Sequence, residues 1–227
     1  MLARFQAGPN RGRSELVKVH NRHALLKLVF NFALLAAAVL DGWPERTAAQ
    51  QRNPADTEAA LRTARQMAAE LTDKLRGLLV KELETGGSEG AVQVCAKTAQ
   101  AVTQEFSQSS GHAVRRVSLG YRNPQGQPDR YERRVLAQFD QQARAKQLVS
   151  EQYEVVTEKG QPYLRYLKPI VTGKLCLNCH GQPEQIAPPV RAVLQKQYPA
   201  DKATGYHEDD VRGAISVKIA LAAKAGK

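Results

Sequence analysis

The sequence predicts an α+β domain, and three observations carry that prediction. Two apolar helical stripes follow one another in its first half. The periodicity then changes from steps of three and four residues to steps of two shortly after Gly111. A closing run, Val211–Ala220, has the alternation of a half-buried strand.

The elements follow in order. Residues 50–58 read as a linker leading into a helix start, with Asp56 or Thr57 as its cap. From Ala59 to Glu84 the residues Leu61, Ala68, Leu71, Leu75, Leu78 and Leu79 form one apolar stripe, which Gly86, Gly87 and Gly90 end. A second helix is expected over about Ala91–Phe106, with Val92, Cys95, Ala99 and Val102 on one face. A short strand follows around Val114–Gly120, and Asn123–Pro128 (NPQGQP) reads as a rigid turn. Tyr131–Lys146 has helical period, with Val135, Leu136 and Phe139 inward. Tyr153–Glu158 and Tyr163–Leu167 flank a turn at Lys159–Pro162, which predicts a β-hairpin. A cysteine motif is expected in the loop beyond it, then a helix near Pro189–Gln197. No period is visible over Tyr198–Asp209.

The chain has 227 residues, 42% hydrophobic and 24% charged, with a formal net charge of +11. That length suits one domain behind a leader better than two domains. Residues 1–49 carry +4 and the rest +7, so the basic excess outlives the leader. A basic surface suits an acidic partner protein or anionic lipid. No nucleic-acid motif or aromatic-interleaved basic stripe is present, so nucleic acid is not the expected partner.

The N-terminus explains where the protein is expected to work. Arg4, Arg11, Arg13, Lys18, Arg22 and Lys27 precede an apolar run from Leu28 to Leu40, and Thr47 and Ala49 suit a cut before Gln50. The run is short of the roughly 20 residues a bilayer span needs. Residues 1–49 are therefore expected to be a signal peptide, with an uncleaved anchor beginning near Leu25 as the alternative. Either places the protein in the periplasm.

The chemistry concentrates in Cys176-Leu177-Asn178-Cys179-His180. Two thiols separated by two residues match the two vinyl groups of a haem, and a histidine directly after the second cysteine can reach the iron. The expectation is one covalent haem c. Three other readings of Cys-x-x-Cys compete. A thioredoxin-type pair belongs at a helix start in a βαβ unit. A structural zinc site needs a second ligand pair, which this chain lacks. A structural disulfide is compatible with an oxidising compartment.

Only three cysteines are present, so Cys95 is left over. From spacing alone it is a buried small residue, an intermolecular disulfide partner or the sixth iron ligand. Met67, His112 and His207 are rivals for that position, though His207 lies in an acidic, polar stretch and reads as a surface residue. Arg115, Arg116 and Arg122 cluster around the first strand, and alternation puts Arg116 and Arg122 on one side. Haem propionates suit such guanidiniums, so Arg116 and Arg122 are candidate cofactor contacts.

Several segments together resemble the Tll0287-like family, also called domain of unknown function 3365. They are Arg116-Val-Ser118, Arg122-Asn123-Pro124 with Pro128, Tyr166–Ile170, Cys176–Gly181, and Gly205-Tyr206 with Arg212-Gly213-Ala214. The resemblance spans about residues 60 to 220. It implies a haem c domain over 59–222 with a PAS-like antiparallel sheet, long N-terminal helices and the haem packed against the sheet. It also implies a cysteine of the second helix, here Cys95, as the distal iron ligand beside His180. One departure is Gly126, where the family pattern expects Asn.

The functional expectation is a redox or small-ligand (gas) sensor or signalling accessory. A periplasmic electron-transfer cytochrome is the alternative. An enzyme is not expected, because an iron with two side-chain ligands has no open site for substrate. The expected partners are the haem and a redox or signalling protein with an acidic face.

Overall fold

A four-stranded antiparallel sheet in the order β1-β4-β3-β2 forms the centre of the computed structural model, which describes residues 54–222. The strands are β1 (Ala113–Val117), β2 (Gln152–Glu158), β3 (Gln161–Val171) and β4 (Val211–Ala220). The expected leader lies outside the described residues. Among the described residues no helix is long and apolar enough to cross a membrane.

Helix α1 spans Pro54–Thr85. It starts earlier than the periodicity suggested, because proline fits the first helical turn, where its missing N–H has no partner to lose. Asp56 and Thr57 therefore lie inside the helix and do not cap it. The stripe Leu61, Ala64, Met67, Ala68 and Leu71 is buried against Val114, Leu164, Tyr166, Val217 and Ile219 on one sheet face. Met67 belongs to this core, away from the cysteine motif.

The predicted second helix is two. Helix α2 (Gly87–Ala96) and helix α3 (Thr98–Ser110) meet at Lys97, whose φ −113° and ψ −64° depart from helical values. Cys95 sits in the last turn of α2, directly before that break.

Helix α4 (Arg130–Arg144) covers the opposite sheet face, with Val135, Leu136 and Phe139 packed on Val117, Leu167, Val211 and Ala214. It opens with a capping box in which Asp129 accepts from the Glu132 N–H and Glu132 accepts from the Asp129 N–H.

The hairpin between β2 and β3 is tighter than predicted. Lys159 and Gly160 alone make the turn, with φ of 50° and 82°. Both angles are those of a type I′ turn, whose twist matches the strands it joins. Gln161 and Pro162 belong to β3. That strand also runs on through Pro169, which is tolerated because β2 pairs with β3 only as far as Leu167.

The cysteine motif is helical. Helix α5 (Lys174–His180) holds it, where a loop was expected. Helix α6 (Pro188–Gln197) follows, and residues 201–210 run without regular structure into β4.

Candidate cofactor site

Three segments meet around the cysteine motif. Helix α5 presents Cys176, Cys179 and His180. Helices α2 and α6 supply apolar walls, with Val92, Ile186, Val190 and Leu194 buried together and Cys179 packed against them. The loop after β1 contributes Arg122.

Cys95 lies one helical turn beyond Val92 on α2 and faces the same region. Burial pushes its thiol pKa up, and the charges of Arg116 and Arg122 pull it back down. Burial also raises Cys179, with Arg122 opposing and the two other cysteines adding to the rise. Cys95 and Cys176 thus both lie near enough to Cys179 to act on its charge. The strand-to-helix approach that a thioredoxin-type pair needs is half present, since α5 follows β3. The next strand returns antiparallel, so β3, α5 and β4 do not form a βαβ unit.

His180 is the most constrained side chain. Its Nδ1 lies 2.7 Å from the carbonyl oxygen of Ala203 and 3.2 Å from Nε of Arg212. One nitrogen cannot donate to a carbonyl and accept from a guanidinium at once. The shorter contact assigns the proton to Nδ1, which leaves Nε2 with a free lone pair. Burial, then the cations of Arg212 and Arg122, hold the imidazole pKa well below its usual value. A neutral ring with a free Nε2 is the form that binds a metal.

The three arginines read from the sequence have different surroundings. Arg115 points to the α4 face, where it donates to the Gln127 carbonyl and approaches buried Glu132 at 3.6 Å. Arg122 donates from Nε to Asp201 at 3.0 Å, and from Nη2 to the carbonyls of Cys179 at 2.6 Å and Ala203 at 3.3 Å. Arg116 turns toward Cys95 and Tyr198, and its buried Nε has no hydrogen-bond partner. A buried guanidinium nitrogen without an acceptor is costly, so an anionic group at this position would satisfy it.

Sequence reasoning assigns no role to residues 201–204, and Gly205, Tyr206 and Arg212 enter it only through the family-like segments. Arg212 donates to Ser118 Oγ at 2.8 Å and to the Gly120 carbonyl at 3.1 Å, and lies over the Tyr206 ring. The Tyr206 N–H donates to the His180 carbonyl at 3.0 Å, and the Gly205 N–H to the Gly181 carbonyl at 2.8 Å. Alternation along β4 could have flagged Arg212 as an inward charge. His112 stands just ahead of β1 with its carbonyl accepting from Ser107, and His207 is 73% exposed beside Asp210. Neither joins the group around His180.

The donor set fits the group the sequence points to. It offers two thiols on one helical turn, a neutral imidazole with a free nitrogen, a third thiol from α2, apolar walls and an unsatisfied guanidinium. At Gly126 the backbone has room for a side chain, since an added Cβ there would meet only ordinary contacts, the nearest at 3.4 Å.

The model of the Tll0287-like family matches residues 45–220. No curated protein matches the chain. Among solved structures it is similar to that of the cyanobacterial heme-protein Tll0287, at 26% identity and a TM-score of 0.55, covering 77% of this chain and 100% of that one.

Proposed function

The chain belongs to the Tll0287-like family, and from that membership we propose that it is an exported protein that binds one haem c and acts as a redox or small-ligand sensor. In this reading Cys176 and Cys179 form the thioether links, and His180 and Cys95 are the axial ligands. Arg116 is the candidate propionate contact. The observation that carries the reading is the state of His180, a neutral imidazole with Nδ1 committed to a carbonyl and Nε2 free, on the same short helix as two thiols. The similarity to a heme-protein supports it.

Bound haem would supply a one-electron iron couple. The chain's own part is to hold the ligands and to respond when one lets go. Cys95 sits one residue from the end of α2 and two from the break at Lys97. Release of its sulfur, by a change of oxidation state or by a diatomic gas taking its place, would free the end of that helix. We assign no catalytic role, because in this reading His180 and Cys95 would both hold the iron and leave no position open for substrate. The expected leader supports export to the periplasm, and the basic balance of the chain suits an acidic partner.

The test is a pyridine haemochrome assay for covalent haem, followed by ultraviolet–visible and EPR spectra of wild type and Cys95→Ala. The expected result is a low-spin thiolate-type spectrum that Cys95→Ala converts to another ligation state. Identical spectra would remove Cys95 from the iron. A second reading, an electron carrier, draws on Leu175, 60% exposed directly before Cys176. An apolar spot beside the site could seat a redox partner. Rapid electron exchange with an acidic cytochrome, abolished by Leu175→Glu, would favour it.

A further inference from the structure

We infer that the Arg122–Asp201 pair is a positioning device for His180 that fixes which ring nitrogen faces the metal. The inference rests on the haem reading above and reassigns Arg122 from a contact of the cofactor to a clamp on its ligand.

The geometry runs through one carbonyl. The Ala203 oxygen accepts the Nδ1 proton of His180 at 2.7 Å, and its orientation decides that proton's place. Asp201 holds Ala203 from one side, since its Oδ1 accepts from the Ala203 N–H at 2.8 Å. Its other oxygen, Oδ2, accepts from Arg122 Nε at 3.0 Å. Nη2 of the same guanidinium reaches the Ala203 oxygen at 3.3 Å and the Cys179 oxygen at 2.6 Å. Arg122 thus ties the peptide that receives the histidine proton to the C-terminal end of the helix that carries the histidine.

Burial makes the arrangement effective. The side chains of Arg122 and Asp201 are 10% and 15% exposed, so their attraction is weakly screened and the fork is rigid. The Nε and Nη2 contacts leave only Nη1 for a further anion. Arg116, by contrast, has a buried Nε without an acceptor and lies near Cys95. The two arginines that alternation placed together therefore divide the work.

The alternative for Nδ1 is present in the same structure. Arg212 Nε stands 3.2 Å away and could donate to that nitrogen if the ring proton moved to Nε2. That tautomer would close Nε2 to a metal. The clamp holds the carbonyl in place against this competitor.

The experiment uses the full chain in two forms. In haem-free protein, ¹⁵N-edited NMR of the imidazole reports the tautomer of His180. In haem-loaded protein, EPR g-values and the midpoint potential report its ligation. Arg122→Gln and Asp201→Asn are each expected to shift the haem-free tautomer away from Nδ1–H and to alter the g-values, with covalent haem retained. Arg122→Lys, which keeps the charge and one donor, is expected to restore part of both. Circular dichroism checks that each variant is folded. A folded Arg122→Gln with unchanged tautomer and g-values would overturn the proposal. So would a response to Arg122→Gln but none to Asp201→Asn, because that pattern means Arg122 touches the cofactor itself. Wild-type protein without haem would sink the cofactor reading instead, and the NMR arm would still decide the clamp.

Discussion

Gly120 shows how closely single residues are fitted around the site. A Cβ there would lie 2.5 Å from the Lys202 carbonyl oxygen and 2.5 Å from the Tyr206 hydroxyl. Gly120→Ala must therefore push away the segment that holds His180. We expect it to cost about 1–3 kcal/mol, the usual range for overpacking, read as a lowered Tm. The residue scale is also where the sequence was most and least legible. Cys176, Cys179 and His180 stand out in the sequence because the chemistry proposed for them depends on side-chain type at fixed spacing. Ala203 could not, because it acts through a carbonyl that every residue possesses. Arg122 was visible as a charge near the right strand, yet its neighbours were set by a segment some 80 residues later, and no local pattern encodes that meeting.

At the scale of elements, helices and strands followed their periodicities while their joints did not. β4 was read with its correct bounds because its apolar run is buried on both faces, between two helical layers. The break at Lys97 was not, since Val92, Cys95, Ala99 and Val102 continue one face across it. The hairpin turn was read two residues too long, because Gln161-Pro162 looks like turn sequence although the strand tolerates it. Helix α4 offers the cleanest test of an element. Asp129→Ala removes the cap from its first turn and the Arg165 partner at 2.6 Å. A loss of about 1–2 kcal/mol is expected from the cap alone, measured by urea unfolding. Arg165→Met should cost more, about 3–5 kcal/mol, since Glu132, 1% exposed, would keep only Arg115 of its two close cations.

For the whole molecule, ionisation links fold and site. Asp129 is held below the usual carboxylate range because the Glu132 N–H and Arg165 more than offset its burial. Glu151 is held down chiefly by the Arg65 hydrogen bonds, and Glu158 by that of Lys218. Each stays ionised in the fold at a pH where the unfolded chain takes up a proton. Their stabilisation is present above about pH 4 and is lost as pH falls through their depressed values. His180, whose folded pKa is also depressed, acts higher. In the haem-free protein the unfolded chain gains a proton below about pH 6.5 that the fold refuses, so stability starts to fall there. Unfolding free energy measured against pH should show both declines, and His180→Gln should remove only the upper one. The segment over residues 201–206 adds a matter of timing. A chain emerging N-terminus first exposes Cys95, both motif thiols and His180 before Ala203 exists to receive the ring proton. A chain ended at residue 200 would carry every donor atom of the site and still leave its imidazole free to choose the wrong tautomer.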